Sequence, residues 1–368
     1  MRVGVPREMK PGEHRVALTP EGVRSLRALG CEVFVEAAAG EGSGFPDDLY
    51  RQEGAAIGTA EAAWASDLVV KVKEPVLSEY PLLSGSAVLF TYLHLAAFPE
   101  LTEELLKRRV TAIGYETVTR GGGLPLLRPM SEVAGILSIQ AGARGLEKTC
   151  GGRGVLLPPI RGNPPGNVCV LGAGVAGRTA ARVASGFGAN VTVLDRDREK
   201  LLLADQECGH RLRTVPSSPE AIAEALREAD LVVSAVLVAG ERAPRMITRA
   251  MLRTMRPGAV VVDISIDQGG TFETSRPTTH DSPYYVEEGV VHYCVTNMPG
   301  AVPRTSTQAL TTATLPYLES FARLGVIGAM RADPGLLAGL NTRDGNVTCP
   351  GVAKALGKSY LPPEQAIG

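Results

Sequence analysis

Short apolar runs alternate with amphipathic stretches along most of the chain, and this alternation predicts an α/β fold with parallel sheets. Residues 1–5 form the first predicted strand. Thr19 then suits a helix N-cap and Pro20 the first helical position, so a helix is predicted from there. In this first series, further strands are predicted at residues 31–36, 55–57, 68–73, 87–92 and 111–116.

A second series of strands begins at Val168, after a long helical run that we predict to be capped by Ser131 and to reach about Lys148. Helical stretches separate its members, and six strands are the full complement of a doubly wound sheet. They are predicted at residues 168–171, 191–194, 212–215, 231–236, 259–263 and 290–293.

The length of the chain bears on its domain organisation. The 368 residues are 44% hydrophobic, enough for two cores. If the second domain closes near residue 305, about 60 residues remain, a marginal independent core, with a helix predicted at 306–323. We therefore expect two Rossmann-like doubly wound domains with a cleft between them. The first, discontinuous domain would comprise 1–128 plus 306–368, and the second 129–305.

Composition narrows the class of protein. A net charge of −1 gives no reason to expect a nucleic-acid partner or an electrostatic membrane anchor. Apolar runs stay well below the roughly 18 residues of a membrane span, and the start lacks the apolar core of a signal peptide. The six cysteines contain no C-x-x-C pair, which favours reduced thiols over disulfides or a metal site. We expect a cytoplasmic protein without a metal.

The sequence from Asn167 to Asp195 carries the strongest local signal. A predicted strand leads into the turn Gly172-Ala173-Gly174-Val175-Ala176-Gly177, a helix and a second strand that ends on Asp195. This is the dinucleotide-binding fingerprint. The glycines allow a tight turn, a close approach to a pyrophosphate and close helix packing, and the acid would accept hydrogen bonds from a ribose. NAD is the expected cofactor, although Arg196 and Arg198 keep NADP as an alternative.

Charged residues at strand ends are the candidates for chemistry, because ligands of such sheets gather there. Lys71 and Lys73 fall on one face of the strand predicted at 68–73. Lys73 lies at the end of that strand and is therefore the favoured ligand-binding lysine. The alternative is that Lys73 is simply exposed there and pairs with Glu74. His94 follows another predicted strand and suits proton transfer, or else is a core or rim residue. Arg15 offers a guanidinium fork for a small carboxylate.

The second series adds acids and a crossover. Asp267 follows a predicted strand and is expected to face the nicotinamide end of the cofactor site, with Asp263 as the competing acid. The segment 297–303 is either a rigid proline hinge or a contact to nicotinamide through Asn297. The remaining histidines are expected to be solvated, at positions 14, 210, 280 and 292.

From its first residues to about residue 325, the chain resembles the alanine dehydrogenase family. The motifs that carry the resemblance are GVPREMKPGEHRVALTP, VVKVKEP, LFTYLHLA, GGRGVLL, VCVLGAGVAG, DQGG, HYCVTNMPGAVPRTSTQAL and TLPY. The resemblance implies a reversible, NAD-dependent oxidative deamination of L-alanine to pyruvate and ammonia by a homohexamer.

The same resemblance implies roles for individual residues. Arg15 and Lys73 match the residues that hold the substrate, His94 matches the acid/base, and Asp267 matches the acid that orders the catalytic water. Four further residues match cofactor contacts: Ser131, Asp195, Asn297 and Met298.

A second family on the same fold is the nucleotide-binding subunit of proton-pumping transhydrogenase. That family carries an Arg…Gln…Asp loop near residues 128–133, where this chain has Met130 and Val133 in place of Gln and Asp. A catalytically silent NAD-binding regulator is the third hypothesis. Of the three, only the dehydrogenase requires pyruvate and ammonia together.

Overall fold

The computed structural model describes residues 1–236 and 243–368, which form two compact units. One unit combines Met1–Met130 with Val302–Gly368, and the other is Ser131–Ala301. Each unit contains one largely parallel sheet with helices in the connections between strands. The predicted α/β class with two Rossmann-like units is confirmed.

The first unit begins with six strands and four helices. The strands are β1 (Arg2–Val5), β2 (Glu32–Glu36), β3 (Ala56–Gly58), β4 (Leu68–Val70), β5 (Val88–Thr91) and β6 (Thr111–Gly114). The helices are α1 (Pro20–Ala28), α2 (Asp47–Gln52), α3 (Ala60–Trp64) and α4 (Pro99–Lys107). Thr19 caps α1 as predicted, since its side chain accepts a hydrogen bond from the N–H of Gly22.

Helix α5 (Arg128–Gly145) then leads into the second unit. The strands of this unit are β7 (Asn167–Leu171), β8 (Asn190–Asp195), β9 (Arg213–Pro216), β10 (Leu231–Ser234), β11 (Val260–Asp263), β12 (Tyr284–Glu287) and β13 (Val290–Tyr293). The helices are α6 (Val175–Gly186), α7 (Arg198–Glu207), α8 (Pro219–Glu228) and α9 (Arg249–Leu252).

The chain returns to the first unit through α10 (Pro303–Ala332), which departs from helical geometry at Gly325. The remaining elements are α11 (Pro334–Leu337), β14 (Leu340–Arg343), β15 (Asn346–Val347), α12 (Pro350–Leu356) and α13 (Pro363–Ala366). Strand β14 pairs antiparallel with β6, so the C-terminal segment extends the first sheet.

Both sheets follow the doubly wound order. The first runs β15-β14-β6-β5-β4-β1-β2-β3, and the second runs β12-β13-β11-β10-β7-β8-β9. In each, the order reverses beside the first strand of the unit, between β1 and β4 and between β7 and β10. Ligands of such sheets bind at the carboxyl ends of the strands that flank this reversal.

The interior of the second unit explains why its strands are continuous apolar runs. Val168 and Val170 of β7 pack into one buried cluster, whereas Cys169 and Leu171 pack into another. Because side chains alternate along a strand, both faces of β7 are buried, as expected for a sheet with helices on both sides.

Several predicted elements differ in extent from the observed ones, and one strand was not predicted. The strand predicted at 68–73 ends at Val70. The helix predicted from Ser131 to Lys148 begins at Arg128 and ends at Gly145, because Pro129 is tolerated in the first turn, where an N–H lacks a helical partner in any case. The antiparallel strand β12 was not predicted. The helix predicted at 306–323 belongs to the longer α10.

His292 was predicted to be solvated, but it is fully buried in β13. Its Nε2 lies 2.7 Å from the Thr274 hydroxyl and its Nδ1 lies 2.9 Å from the Val290 carbonyl. The Tyr285 ring stacks on the imidazole with 4.8 Å between the ring centroids. Burial lowers the pKa of His292, so the folded protein holds this imidazole neutral.

We therefore expect His292 to make the unfolding free energy depend on pH. The unfolded chain takes up a proton at this imidazole as the pH falls through about 6.5, while the folded chain resists it. Stability should therefore decrease as the pH falls through this range. The measurement is chemical unfolding of the wild type and of His292→Gln between pH 7.5 and 5.5.

The variant should show a weaker pH dependence, because an amide can bond Thr274 and does not titrate. His14→Gln, at an exposed position, controls for the loss of an imidazole as such. Equal pH dependence in the wild type and His292→Gln would contradict the assignment of a neutral buried imidazole.

Candidate active site

The glycine turn after β7 has the geometry that its sequence predicts. Gly172 has a φ of +96°, a conformation that side-chain-bearing residues rarely adopt. A Cβ on Gly177 would lie 1.8 Å from the Gly172 carbonyl oxygen, so only glycine lets α6 pack this closely on the turn. A Cβ on Gly174 would meet nothing within 4 Å.

The start of α6 is suited to an anion. Gly174 is its N-cap and provides no side-chain hydrogen bond, so the first N–H groups of α6 have no capping side chain. Val175 begins the helix at the open side of Gly174. Among the residues that the structure describes, nothing lies within 4 Å of where a Cβ on Gly174 would stand, so the backbone donors and the positive end of this 12-residue helix are accessible from that side, which fits the pyrophosphate of a dinucleotide.

Asp195 ends β8, the neighbour of β7, and its carboxylate joins the glycine turn. One oxygen accepts a hydrogen bond of 2.6 Å from the N–H of Ala173, and the other accepts one of 2.9 Å from the N–H of Asp197. The side chain is only partly buried. The structure thus brings the acid and the turn together, as the fingerprint predicts.

The two competing acids after β11 have different surroundings. Asp263 is fully buried and accepts hydrogen bonds from the N–H groups of Ser265 and Thr271 and from the Ser275 hydroxyl, at 2.6 to 3.0 Å. Burial raises the pKa of Asp263, and these hydrogen bonds oppose the rise. Asp267 is exposed in the short 3-10 helix Ile264–Gln268. Asp263 therefore organises the loop, and Asp267 is the acid that a ligand can reach.

The other predicted cofactor residues lie in three different settings of the second unit. Ser131 is partly exposed in the first turns of α5, not at its N-cap. Asn297 has a φ of +59°, and its carbonyl oxygen lies 3.4 Å from Nε2 of His280. The Met298 side chain is buried in the apolar core. Their contacts with a cofactor stay a prediction.

Arg15 is buried in the first unit and already holds a carboxylate. Its Nε and Nη2 donate to the two oxygens of Glu13 at 2.7 and 2.5 Å, and its Nη1 lies 3.0 Å from the Met130 sulfur. Burial alone would lower the pKa of Arg15, but the Glu13 carboxylate reverses this effect and the pKa is raised. The guanidinium therefore keeps its charge at any ordinary pH.

Lys71 and Lys73 are separated by the end of β4. Lys71 is fully buried, and its Nζ lies 2.8 Å from Glu79 and 3.3 Å from Glu8. Burial would lower the pKa of Lys71, but the two carboxylates outweigh it and raise the pKa. The side chain of Lys73 is 16% exposed, and its Nζ lies 4.0 Å from Glu74. Of the two lysines, Lys73 is thus the one with an accessible ammonium.

His94 follows β5 with a φ of +48°, a left-handed conformation that is uncommon for histidine. Its backbone N–H donates to Glu116 at 2.6 Å, and its Nδ1 lies 4.0 Å from the same carboxylate. The imidazole stacks parallel to the Tyr92 ring, with 6.0 Å between centroids, and the side chain is 41% exposed. His94 is therefore a rim residue that can meet a ligand, not a core residue.

Sequence reasoning missed three glutamates that hold these residues. Each accepts a hydrogen bond from a backbone N–H of a predicted substrate residue: Glu13 from Arg15, Glu8 from Lys73 and Glu116 from His94. Glu8 and Glu13 lie in the loop after the first predicted strand, and Glu116 ends the strand predicted at 111–116, so an acid at or just after the end of a predicted strand was the available signal.

Neither a metal site nor a membrane helix is found in the parts of the chain that the structure describes. Residues 1–236 and 243–368 contain no group of three His, Cys, Asp or Glu placed to hold a metal ion. None of their helices is long and apolar enough to cross a membrane. All six cysteines are free.

Comparison with protein families gives two adjoining matches. The family described as "Alanine dehydrogenase/PNT, N-terminal domain" matches residues 4–134, and "Alanine dehydrogenase/PNT, C-terminal domain" matches residues 138–350.

Curated relatives match the chain over its whole length. Alanine dehydrogenase of Halomonas elongata is 52% identical over 371 residues, with 100% of both sequences covered. Alanine dehydrogenase of Bacillus subtilis is 50% identical over 369 residues, with 100% of this chain and 98% of the relative covered.

Two solved structures extend the comparison to the fold. An L-alanine dehydrogenase matches with a TM-score of 0.92 and 48% identity, over 97% of this chain and 99% of that one. A transhydrogenase from Sinorhizobium meliloti matches with a TM-score of 0.81 and 26% identity, over 95% and 99%. The transhydrogenase is thus the more distant of the two.

The glycine turn yields a prediction about nucleotide binding. In Gly177→Ala the new Cβ would lie 1.8 Å from the Gly172 carbonyl oxygen, so the turn or α6 must shift. We expect NADH binding, measured by fluorescence titration, to weaken by more than about tenfold, because the N–H groups of α6 lose their alignment.

Gly186→Ala is the matched control, because it lies in the same helix and its Cβ would meet nothing within 4 Å. It should leave NADH affinity unchanged and stabilise the fold by up to about 1 kcal/mol. Equal NADH affinity for Gly177→Ala and the wild type would argue against nucleotide binding at this turn.

Proposed function

Because the chain belongs to the alanine dehydrogenase family, we propose that it catalyses the reversible, NAD-dependent oxidative deamination of L-alanine to pyruvate and ammonia. The observation that carries the proposal is the 52% identity to an alanine dehydrogenase across the full length of both sequences. The glycine turn of one unit would hold the cofactor, and Arg15, Lys73 and His94 of the other unit would supply the chemistry that such a reaction needs.

The unit Ser131–Ala301 is assigned to the cofactor. The backbone at Gly172, Gly174, Val175 and Gly177 would hold the pyrophosphate, and the Asp195 carboxylate would accept the ribose hydroxyls. A carboxylate here repels a 2′-phosphate, which favours NAD over NADP. Three further residues complete the proposed contacts: Ser131, Asn297 and Met298.

The discontinuous unit is assigned to the substrate. Lys73 would hold the carboxylate and the keto oxygen of pyruvate, and Arg15 would hold the carboxylate. Because the Arg15 charge is offset by Glu13, the attraction for an anion falls chiefly to Lys73. This pair favours small 2-oxo acids over molecules that lack a carboxylate.

The reaction consumes L-alanine, NAD⁺ and water and yields pyruvate, an ammonium ion, NADH and a proton. The amino group of alanine first gives up the proton that the reaction releases, and NAD⁺, when bound, would accept the hydride that leaves Cα. Lys73 and Arg15 keep the carboxylate of the resulting imine in place. Water, oriented by Asp267 and deprotonated by His94, then adds to the imine carbon, and the carbinolamine collapses to pyruvate and ammonia.

The free imidazole edge of His94 suits this role. The carboxylate of Glu116 lies on the Nδ1 side at 4.0 Å, which leaves Nε2 for the proton of the attacking water. An imidazole that has taken this proton can give it back to the leaving ammonia. The resemblance to the family further suggests a homohexamer that works in the cytoplasm.

The alternative is a transhydrogenase subunit, supported by the structural match with a TM-score of 0.81. The lower identity of 26% and the residues Met130 and Val133 argue against it, because apolar side chains stand where that family has Gln and Asp. Both side chains are buried, and Met130 contacts Arg15.

The test of the proposed function is NADH oxidation with pyruvate, measured with and without ammonia. We expect turnover only when both are present, because the amine nitrogen must come from ammonia. NADPH in place of NADH should react at least about tenfold more slowly, because of charge repulsion at Asp195.

Each other hypothesis gives a different result in this assay. A transhydrogenase subunit would pass hydride between two nucleotides without pyruvate, and a silent regulator would bind NADH without oxidising it. Either result would refute the dehydrogenase.

The role of His94 gives a separate prediction. His94→Asn should lower kcat by at least about a hundredfold, because general acid–base catalysis is lost. Asparagine is chosen because it tolerates the left-handed backbone at this position. NADH affinity, measured by fluorescence, should not change.

His210→Asn is the matched control, since His210 also has a positive φ but is exposed and pairs with Asp205 in the other unit. Normal turnover by His94→Asn would remove His94 from the mechanism.

A further inference from the structure

A buried cluster of three charges lies where β4 ends. Lys71 is 0% exposed and is shared by two buried carboxylates, Glu8 at 3.3 Å and Glu79 at 2.8 Å. Its ammonium also lies 5.8 Å from the centre of the Trp64 ring. The mechanism does not use any of these charges, so the cluster needs another explanation.

Glu8 also binds the backbone that follows β4. One oxygen accepts a hydrogen bond of 2.6 Å from the N–H of Val72, and the other accepts one of 3.3 Å from the N–H of Lys73. The Glu8 carboxylate therefore contacts Lys73, the proposed substrate residue, directly at the backbone N–H of the lysine. Its second oxygen also faces Lys71.

Glu8 replaces a strand neighbour that β4 lacks beyond Val70. On the β5 side the ladder continues, because the N–H of Lys71 donates to the Phe90 carbonyl and the Val72 carbonyl accepts from Tyr92. On the other side β1 ends at Val5, before it can offer further carbonyls. The Glu8 carboxylate takes the place of those carbonyls.

Glu79 provides a comparison within the same cluster. It pairs with the same ammonium, but its other oxygen accepts a hydrogen bond of 2.9 Å from the N–H of Val76. Glu79 thus fixes the chain three residues beyond Lys73. Glu8 and Glu79 are equivalent toward Lys71 and differ in the backbone that they hold.

We propose that Glu8 is a positioning residue for Lys73, and that it sets the direction in which the lysine side chain leaves the end of β4. The proposal rests on the proposed function, in which Lys73 holds the carboxylate and keto oxygen of the substrate. Lys71 supplies the positive charge that keeps a carboxylate stable in this buried place.

A purely structural role would lead to a different expectation. Removing either carboxylate leaves Lys71 with one partner, so both changes weaken the fold through the same buried ion cluster. Only a change at Glu8 would also displace Lys73. Measurements of both stability and substrate affinity in the Glu8 and Glu79 variants therefore distinguish a positioning role of Glu8 from a purely structural one.

The experiment compares Glu8→Gln with Glu79→Gln in the full-length enzyme. Glutamine keeps one acceptor oxygen and replaces the other with an NH2 donor, which cannot accept from a backbone N–H or pair with the Lys71 ammonium, so the two oxygens that now serve Val72 and Lys73 are no longer both acceptors. We expect the KM for pyruvate to rise about tenfold in Glu8→Gln, while kcat changes less than about threefold, as expected when ground-state and transition-state binding weaken equally. The KM for NADH should stay as in the wild type.

Glu79→Gln is the matched control. Its KM for pyruvate should stay within about twofold of the wild type, while its melting temperature falls by a similar amount to that of Glu8→Gln. A tenfold rise in both variants, or in neither, would overturn the proposal.

Glu8→Asp keeps the inference testable if Glu8→Gln does not fold. It preserves the charge opposite Lys71 but is one methylene shorter, so it cannot reach both N–H groups. We expect a raised KM for pyruvate with near-normal stability, and an unchanged KM would count against the proposal. Wild-type turnover in the same assay reports separately on the proposed function, since its absence would refute the dehydrogenase and not the role of Glu8.

Discussion

Backbone N–H groups just beyond the end of a parallel strand have no carbonyl on the neighbouring strand to bond. A buried donor without an acceptor costs folding free energy. In this protein acidic side chains accept these donors. Glu8 does so after β4, Glu116 after β5 and Asp263 after β11. Both units use the same solution at the edge of the sheet where a doubly wound fold binds its ligands.

This solution has an electrostatic consequence in the first unit. Acids that hold the backbone also bring negative charge next to the residues proposed to bind an anionic substrate. Arg15 is offset by Glu13 at 2.5 Å, whereas Lys73 and Glu74 are 4.0 Å apart. The local charge is therefore nearly balanced before any substrate arrives. A nearly neutral site attracts an anion only where a cation is not closely paired with an acid, as at the Lys73 ammonium. The direction of the Lys73 side chain is therefore important.

The sequence predicted the fold well because the signals that it used are local. The apolar runs of β7 and β8 and the glycines between them are fixed by backbone sterics and two-sided burial, and neither depends on distant residues. Strand ends were harder to predict. Lys71 and Lys73 continue the alternation of β4, but the strand stops at Val70, where β1 no longer pairs with it and a carboxylate more than 60 residues away accepts the next N–H.

The candidate site was predictable only in part for the same reason. His94 and Asp267 could be identified from their places after strands, yet the acids that hold the substrate residues could not. Glu13 lies two residues from Arg15, but Glu116 meets His94 only through the pairing of β5 with β6. His292 was misjudged although it lies within the strand predicted at 290–293, because the sequence does not show that Thr274 and Tyr285 pack against its imidazole.

The double role of Asp195 sets a limit on redesign of the cofactor preference. One of its oxygens holds the N–H of Ala173 inside the glycine turn, so the residue proposed to exclude a 2′-phosphate also supports the backbone proposed to hold the pyrophosphate. Exchange of Asp195 for a small neutral residue would admit a 2′-phosphate, but it would also loosen the glycine turn proposed to hold the pyrophosphate. Selectivity and affinity are therefore linked through a single side chain. An engineer who wants an NADP enzyme must supply a second acceptor for Ala173 together with the new cation.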